Sequence, residues 1–216
     1  MKPNTTHLSF VLDRSGSMNV IVQETIDGFN RFLADQKSEA SEATFTLVQF
    51  DDEYEILQNV VPLASVEPLT VRTFVPRGST ALLDAVGETM QRTGKHLADL
   101  PEAERPERVI FVVLTDGMEN ASHEYTYPKI AAMIQHQREK YGWEFVFLGA
   151  NQDAMNTASE MGMDRMDALS FAGNAASAPL AFDQLSRNVK AKRSGNIAAS
   201  KFRESEREEQ RERGAK

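Results

Sequence analysis

The chain has 216 residues, a net charge of -8 and 41% hydrophobic residues, a profile that fits one well-cored globular domain with room for a short appendage. Its acidic balance argues against a general nucleic-acid binder, which is ordinarily basic. The absence of cysteine excludes both a disulfide framework and a thiolate metal site.

From the N-terminus, polar residues interrupt "MKPNTTHLSFVLDRSGSM" before any signal-peptide core can form, and no later stretch has the length and apolarity of a membrane span. A cytoplasmic location is the expectation. "LSFVL" (8–12) is a short apolar run of the kind found in a strand buried on both faces. Residues 20–34 place Val20, Ile21, Ile26, Phe29, Phe32 and Leu33 at roughly helical spacing. "ATFTLVQF" (43–50) alternates as a strand does, "DDEY" reads as a solvent-exposed acidic turn, and "EILQNVV" (55–61) reads as a returning strand. So short a connection implies an antiparallel hairpin, because a parallel crossover needs about a dozen residues or more.

An irregular link with three prolines (62–77) leads to a helical pattern over 79–100, with Leu82, Leu83, Val86, Met90 and Leu97 on one face. "RVIFVVLTDG" (108–117) is the strongest strand signal in the chain, and it stops at a turn. A helix over 128–140 begins suitably on a proline, a strand follows over 144–149, and a short helix over 153–161. A weak strand near 166–171 and a helix over 178–192 complete the pattern. The segment "KFRESEREEQRERGAK" carries six basic and five acidic residues in sixteen positions, with almost nothing to bury, and reads as a flexible tail or frayed helix.

Strands alternating with helices predict a three-layer, Rossmann-like, doubly wound α/β fold. Its six-stranded sheet is expected to be mostly parallel, with one antiparallel edge strand and helices on both faces. The expected domains are 1–193 and a charged tail over 194–216.

In an open parallel sheet, ligands bind beyond the C-terminal strand ends, at the switch in strand order. Three segments put oxygen-bearing side chains there: Asp13, Ser15 and Ser17 after the first strand, Ser79 and Thr80 before a helix, and Thr115 and Asp116 at the end of the strongest strand. Two carboxylates with three hydroxyls suit a hard cation such as Mg²⁺. Each residue also has a simpler reading. Ser15 or Ser17 could cap the following helix, Thr80 could cap its own, and Asp116–Gly117 is a common turn dipeptide.

"DRSGS", "GST" and "TDG", in this order and with these intervening elements, resemble the metal-ion-dependent adhesion site of the von Willebrand factor type A domain, over residues 5–172 and on to about 193. That resemblance implies a bound divalent cation, Mg²⁺ with Mn²⁺ or Ca²⁺ as alternatives. Ser15, Ser17 and Thr80 would then be hydroxyl ligands, and Asp13 and Asp116 would be direct or water-mediated ones. It further implies a non-enzymatic adaptor or assembly factor whose protein partner supplies an acidic residue to the metal. With no long apolar heptad run to suggest a coiled coil, a monomer is the expectation. No nucleic-acid or membrane partner is expected.

The competing function is a Mg²⁺-dependent hydrolase or phosphotransferase. Against it, the chain has no G-x-x-x-x-G-K-[ST] loop, and Ser15 stands where one phosphatase pattern needs a second acidic residue. The loop after Asp116 adds Glu119, Asn120 and His123. There Glu119 reads either as solvated or as a group that tunes the site. Arg14 and Met18 flank the first loop as residues that could face a ligand.

Overall fold

The computed structural model describes residues 1–215. Its sheet forms around β1 (Lys2–Asp13), which is flanked by β2 (Glu42–Phe50) on one side and β4 (Pro106–Thr115) on the other. The full order is β3-β2-β1-β4-β5-β6, with β3 at Tyr54–Pro62, β5 at Glu144–Ala150 and β6 at Ala168–Phe171. All pairings are parallel except β2 with β3, which the short 51–53 turn requires to be antiparallel, and β3 lies at an edge of the sheet.

The apolar runs are continuous because the central strands are covered on both faces. Along β4, Ile110, Val112 and Leu114 enter one core, while Val109, Phe111 and Val113 enter the other. The first core packs under α1 (Val22–Lys37) and α5 (Ala178–Arg193). It centres on Phe10, whose ring meets Phe29 edge-on at 5.2 Å and Phe32 at 5.5 Å. The second core packs under α2 (Leu82–Asp99), α3 (Tyr127–Tyr141) and α4 (Ala154–Glu160). Pro128 sits in the first turn of α3, and Gly142 ends that helix in the left-handed conformation.

Two helices begin later than periodicity predicts. The chain first makes a 3-10 turn over Gly16–Ile21 before α1 starts, and α2 starts at Leu82, which leaves residues 79–81 in a loop.

The tail departs further from expectation. It forms α6 (Glu204–Glu212), which packs against α5 and β6. Phe202 is fully buried, and Glu206, Arg207 and Gln210 are buried as well. Charge density suggested solvation, but these side chains find specific partners. Arg187 holds Glu206 at 2.8 and 2.7 Å, and Arg207 donates to the carbonyls of Phe202, Arg165 and Ala168. Arg207 thereby satisfies part of the outer edge of β6.

Strand order reverses between β1 and β4, whose C-terminal ends carry Asp13 and Thr115. A crevice for ligands is expected at that point.

Candidate metal centre

Asp13 ends β1 with its side chain fully buried. Its Oδ1 accepts the Ser15 N–H at 2.6 Å, and its Oδ2 accepts the Thr115 hydroxyl at 2.5 Å. These bonds hold the carboxylate between the two central strands and curl the chain so that Ser15 and Ser17 turn back over the strand ends. Ser15 and Ser17 lie with their hydroxyl oxygens 3.1 Å apart, and Ser17 donates to Asp116 Oδ1 at 2.6 Å.

Thr80 closes the third side. An added Cβ on Gly117 would lie 2.7 Å from Thr80 Oγ1 and 3.4 Å from Ser17 Oγ, so both hydroxyls crowd the backbone just after Asp116. Only glycine leaves that space free. The three loops are tied to one another by backbone as well, through Gly16 N–H to Gly78 C=O at 3.1 Å and Asn120 N–H to Thr80 C=O at 3.1 Å. Asn120 Oδ1 in turn accepts the Thr80 N–H at 2.9 Å. Asp13, Ser15, Ser17, Thr80, Thr115 and Asp116 thus lie together at the strand ends, whereas Ser79 is exposed and gives its N–H to Asp52 Oδ1 at 3.3 Å.

The capping alternatives do not hold. Ser15 precedes the 3-10 turn without a side-chain capping bond, α1 begins after Ile21, and Ala81 rather than Thr80 precedes α2. The cap of α2 comes instead from the loop after β4. Glu119 Oε2 accepts the Leu83 N–H at 3.0 Å, and Ser122 Oγ accepts the Asp84 N–H at 3.0 Å. Glu119 thus orders its loop instead of standing free in solvent.

Electrostatics favour a cation here. Burial raises the Asp13 carboxyl above its ordinary value, against the opposing hydrogen bonds from Thr115 and Ser15. Asp116 is pushed up to about 6, chiefly by burial, with the neighbouring Asp13 charge adding to the shift. Among the described residues, neither carboxylate forms an ion pair with a basic side chain. No group of three or more His, Cys, Asp or Glu is placed to hold a metal among those residues, so any ion here would draw on hydroxyls for most of its protein ligands.

Three neighbouring residues differ from expectation. Arg14 is 7% exposed and turns away to Asp51, donating from Nε at 3.0 Å, and to Glu55 from Nη1. Met18 is buried in the first core. Asp51, expected in an exposed acidic turn, is fully buried between Arg14 and Arg77, the latter donating from Nε at 2.8 Å. Burial by itself would raise the Asp51 carboxyl, but hydrogen bonds from Arg77 and the Glu53 N–H, with the charges of both arginines, outweigh it and the net shift is downward. A separate cavity of about 470 Å³ lies at the opposite, N-terminal end of the strands, lined in part by His7, His96 and Arg193.

No family model matches the sequence, and no curated protein matches it. Solved structures do. The vWF domain of the type V pili tip protein Mfa5 from Porphyromonas gingivalis aligns with a TM-score of 0.61 at 13% identity, covering 92% of this chain and 97% of that one. A von Willebrand factor type A protein from Catenulispora acidiphila aligns at 0.60 and 14% identity, over 88% of this chain and 43% of that one. Proximal thread matrix protein 1 from the mussel byssus, in a structure with a zinc-occupied MIDAS motif, aligns at 0.56 and 16% identity, over 88% and 45%. The chain thus spans less than half the length of the mussel and Catenulispora proteins. Pilus and byssus proteins among these neighbours lend no support to a cytoplasmic location, and no helix among the described residues is long and apolar enough to cross a membrane. With its sheet order, its one antiparallel edge strand and its flanking helices, the chain has the von Willebrand factor type A fold.

Proposed function

We propose that the chain is a non-catalytic protein-binding module whose contact with its partner depends on a divalent cation held by Asp13, Ser15, Ser17, Thr80 and Asp116. The observation that carries this reading is the pairing of two desolvated carboxylates, neither bonded to a basic side chain, with three hydroxyl groups at the strand switch point. Oxygen donors of this hardness favour Mg²⁺ or Mn²⁺, and the cation would supply a positive centre for a carboxylate of the partner.

The chain's own residues orient that contact. Thr115 fixes Asp13, Asn120 fixes Thr80, and Ser17 and Asp116 hold each other. Exposed apolar side chains stand on the same loops: Val20 is 71% exposed, shortly after Ser17, and Met118 is 78% exposed, two residues after Asp116. Large apolar groups left in water beside a polar centre fit a protein partner. The zinc-occupied motif of the mussel protein supports the assignment by fold analogy. With no cysteine, the site's chemistry is the same in oxidising and reducing compartments.

Affinity capture from the native host with Mg²⁺, repeated with chelator and with Asp13→Ala, tests the reading. Partners retained with Mg²⁺ and lost in both other arms are expected. A captured set indifferent to chelator and to the substitution would refute it.

A further inference from the structure

Beside the metal centre, toward β3, lies a groove of about 460 Å³ whose wall includes Arg14, Arg72 and Arg77 with Glu55, Leu57 and Val75. Three arginines and one acidic residue, Glu55, line it, with Asp51 and Glu53 partnering two of the arginines from outside the lining, in a chain whose net charge is -8. Two of the three are already held. Arg14 gives Nε to Asp51 and Nη1 to Glu55, while Arg77 gives Nε to Asp51 and Nη2 to Glu53. Arg14 nevertheless keeps its Nη2 buried and without a hydrogen-bond partner among the described residues. Such a donor is costly to leave unmade, more so on a charged group. Arg72 is exposed and forms no ion pair among the described residues.

This groove is continuous with the centre through the chain itself. Arg14 directly follows Asp13, and the Arg77 N–H is bonded to the Arg14 carbonyl at 2.8 Å. Across the 51–53 turn, a second groove is lined by Asp52, Glu53, Asp84, Glu88 and Glu124 with Arg92 and His123. Arg92 is paired to Glu88, and the surplus of carboxylates would repel an acidic segment from that side. Charge therefore sets one direction in which an acidic chain can lie across the centre.

We propose that the Arg14–Arg72–Arg77 groove receives a second carboxylate of the partner, so that the segment recognised is an acidic peptide presenting one carboxylate to the metal centre and another to these arginines. This rests on the metal-dependent reading above and specifies the partner's chemistry. Glu55 is the built-in competitor for the same cations, and Val75, 53% exposed, offers apolar contact beside them.

The probe is fluorescein-labelled hexaglutamate, titrated by fluorescence anisotropy against the full chain in Mg²⁺ and again in EDTA. Arg72→Ala is expected to weaken binding about fivefold, the upper range for a partly exposed ion pair, and Glu55→Gln to tighten it by a similar factor. Both variants should leave Mg²⁺ affinity, measured by calorimetry, unchanged. Arg31→Ala, which removes an exposed arginine paired to Asp183 on another part of the surface, should bind like the parent chain. Parent-like binding by both Arg72→Ala and Glu55→Gln would overturn the proposal, as would an Arg31→Ala loss equal to that of Arg72→Ala. If EDTA leaves parent binding unchanged while the Arg72 and Glu55 effects persist, the groove stands and the metal-bridged reading falls.

Discussion

Glu119, four residues beyond the end of a central strand, accepts the Leu83 N–H near the start of α2, 36 residues away in sequence, at 3.0 Å. The exchange is reciprocal. Asp84 in the first turn of α2 accepts the N–H groups of His123, Glu124 and Tyr125 at 2.7–3.0 Å. A negative side chain at a helix N-terminus satisfies orphan donors and complements the helix dipole. Glu119→Ala should therefore lower stability by about 1–2 kcal/mol in urea unfolding. Mg²⁺ affinity should fall only several-fold, because Asn120 still holds Thr80. A complete loss of Mg²⁺ binding with unchanged stability would show that Glu119 is itself a ligand.

Asp116 gives the site a pH signature. Its folded value of about 6 lies above the ordinary 3.8, so the metal-free folded chain holds this proton more tightly than the unfolded chain does. The group's contribution to stability is fully present below pH 3.8 and is lost as pH rises through about 6. A bound cation competes with that proton. Stabilisation by Mg²⁺ in thermal melts should be large at pH 7.5 and small at pH 5. Asp116→Asn should abolish the Mg²⁺ effect and raise the stability of the metal-free chain at pH 7.5 by about 1–2 kcal/mol, after allowance for partial solvent exposure. An equal Mg²⁺ effect at both pH values would contradict this account.

Asp51 is the keystone of the neighbouring loops. It accepts Arg14, Arg77 and the Glu53 N–H, at 2.6 Å for the last, and its carbonyl accepts the Ala81 N–H at 2.9 Å. Asp51→Ala leaves Arg14 buried without one of its two anions, a loss of about 3–5 kcal/mol. Chemical denaturation should show that loss, and Mg²⁺ affinity should drop as well, since Thr80 is the next residue before Ala81. A stability change below about 1 kcal/mol would mean that the pair is effectively solvent-screened.

The contrast between Asp13 and Asp51 explains what the sequence reveals. Asp13 stands at the end of a strand apolar on both faces, so its place at the sheet's C-terminal rim follows from periodicity, whereas Ser15, Ser17, Thr80 and Asp116 join it in the sequence through the resemblance of "DRSGS", "GST" and "TDG" to a family motif. Asp51 sits among Asp52 and Glu53, a composition indistinguishable from a solvated turn. Only folding brings Arg14 and Arg77 to it, from 37 and 26 residues away. Glu119 is ambiguous in the sequence for the same reason, because its partner is a backbone N–H on another element and leaves no mark in local sequence. Helix starts shifted where site geometry overrode apolar spacing: residues 79–81 stay in the loop that carries Thr80.

The tail tests how far local composition misleads. Phe202 is fully buried within the core that includes Phe171 and Leu169 of β6, while Gln210 donates to Gln184 Oε1 at 2.9 Å and accepts the Ser177 hydroxyl. Arg207 occupies the Ala168 carbonyl at 3.0 Å on the outer side of β6, the sheet edge opposite β3. Phe202→Ala should cost about 3–5 kcal/mol, the range for a buried aromatic ring. Arg207→Ala should cost less in stability but expose an edge strand, and edges left open invite pairing with other chains. Light scattering on heating should therefore rise earlier for Arg207→Ala than for a surface control such as Arg211→Ala, which removes only an exposed pair with Glu204. If Phe202→Ala and Arg207→Ala both behave like that control, α6 contributes nothing to the fold and its charged residues act only as a solvated tail.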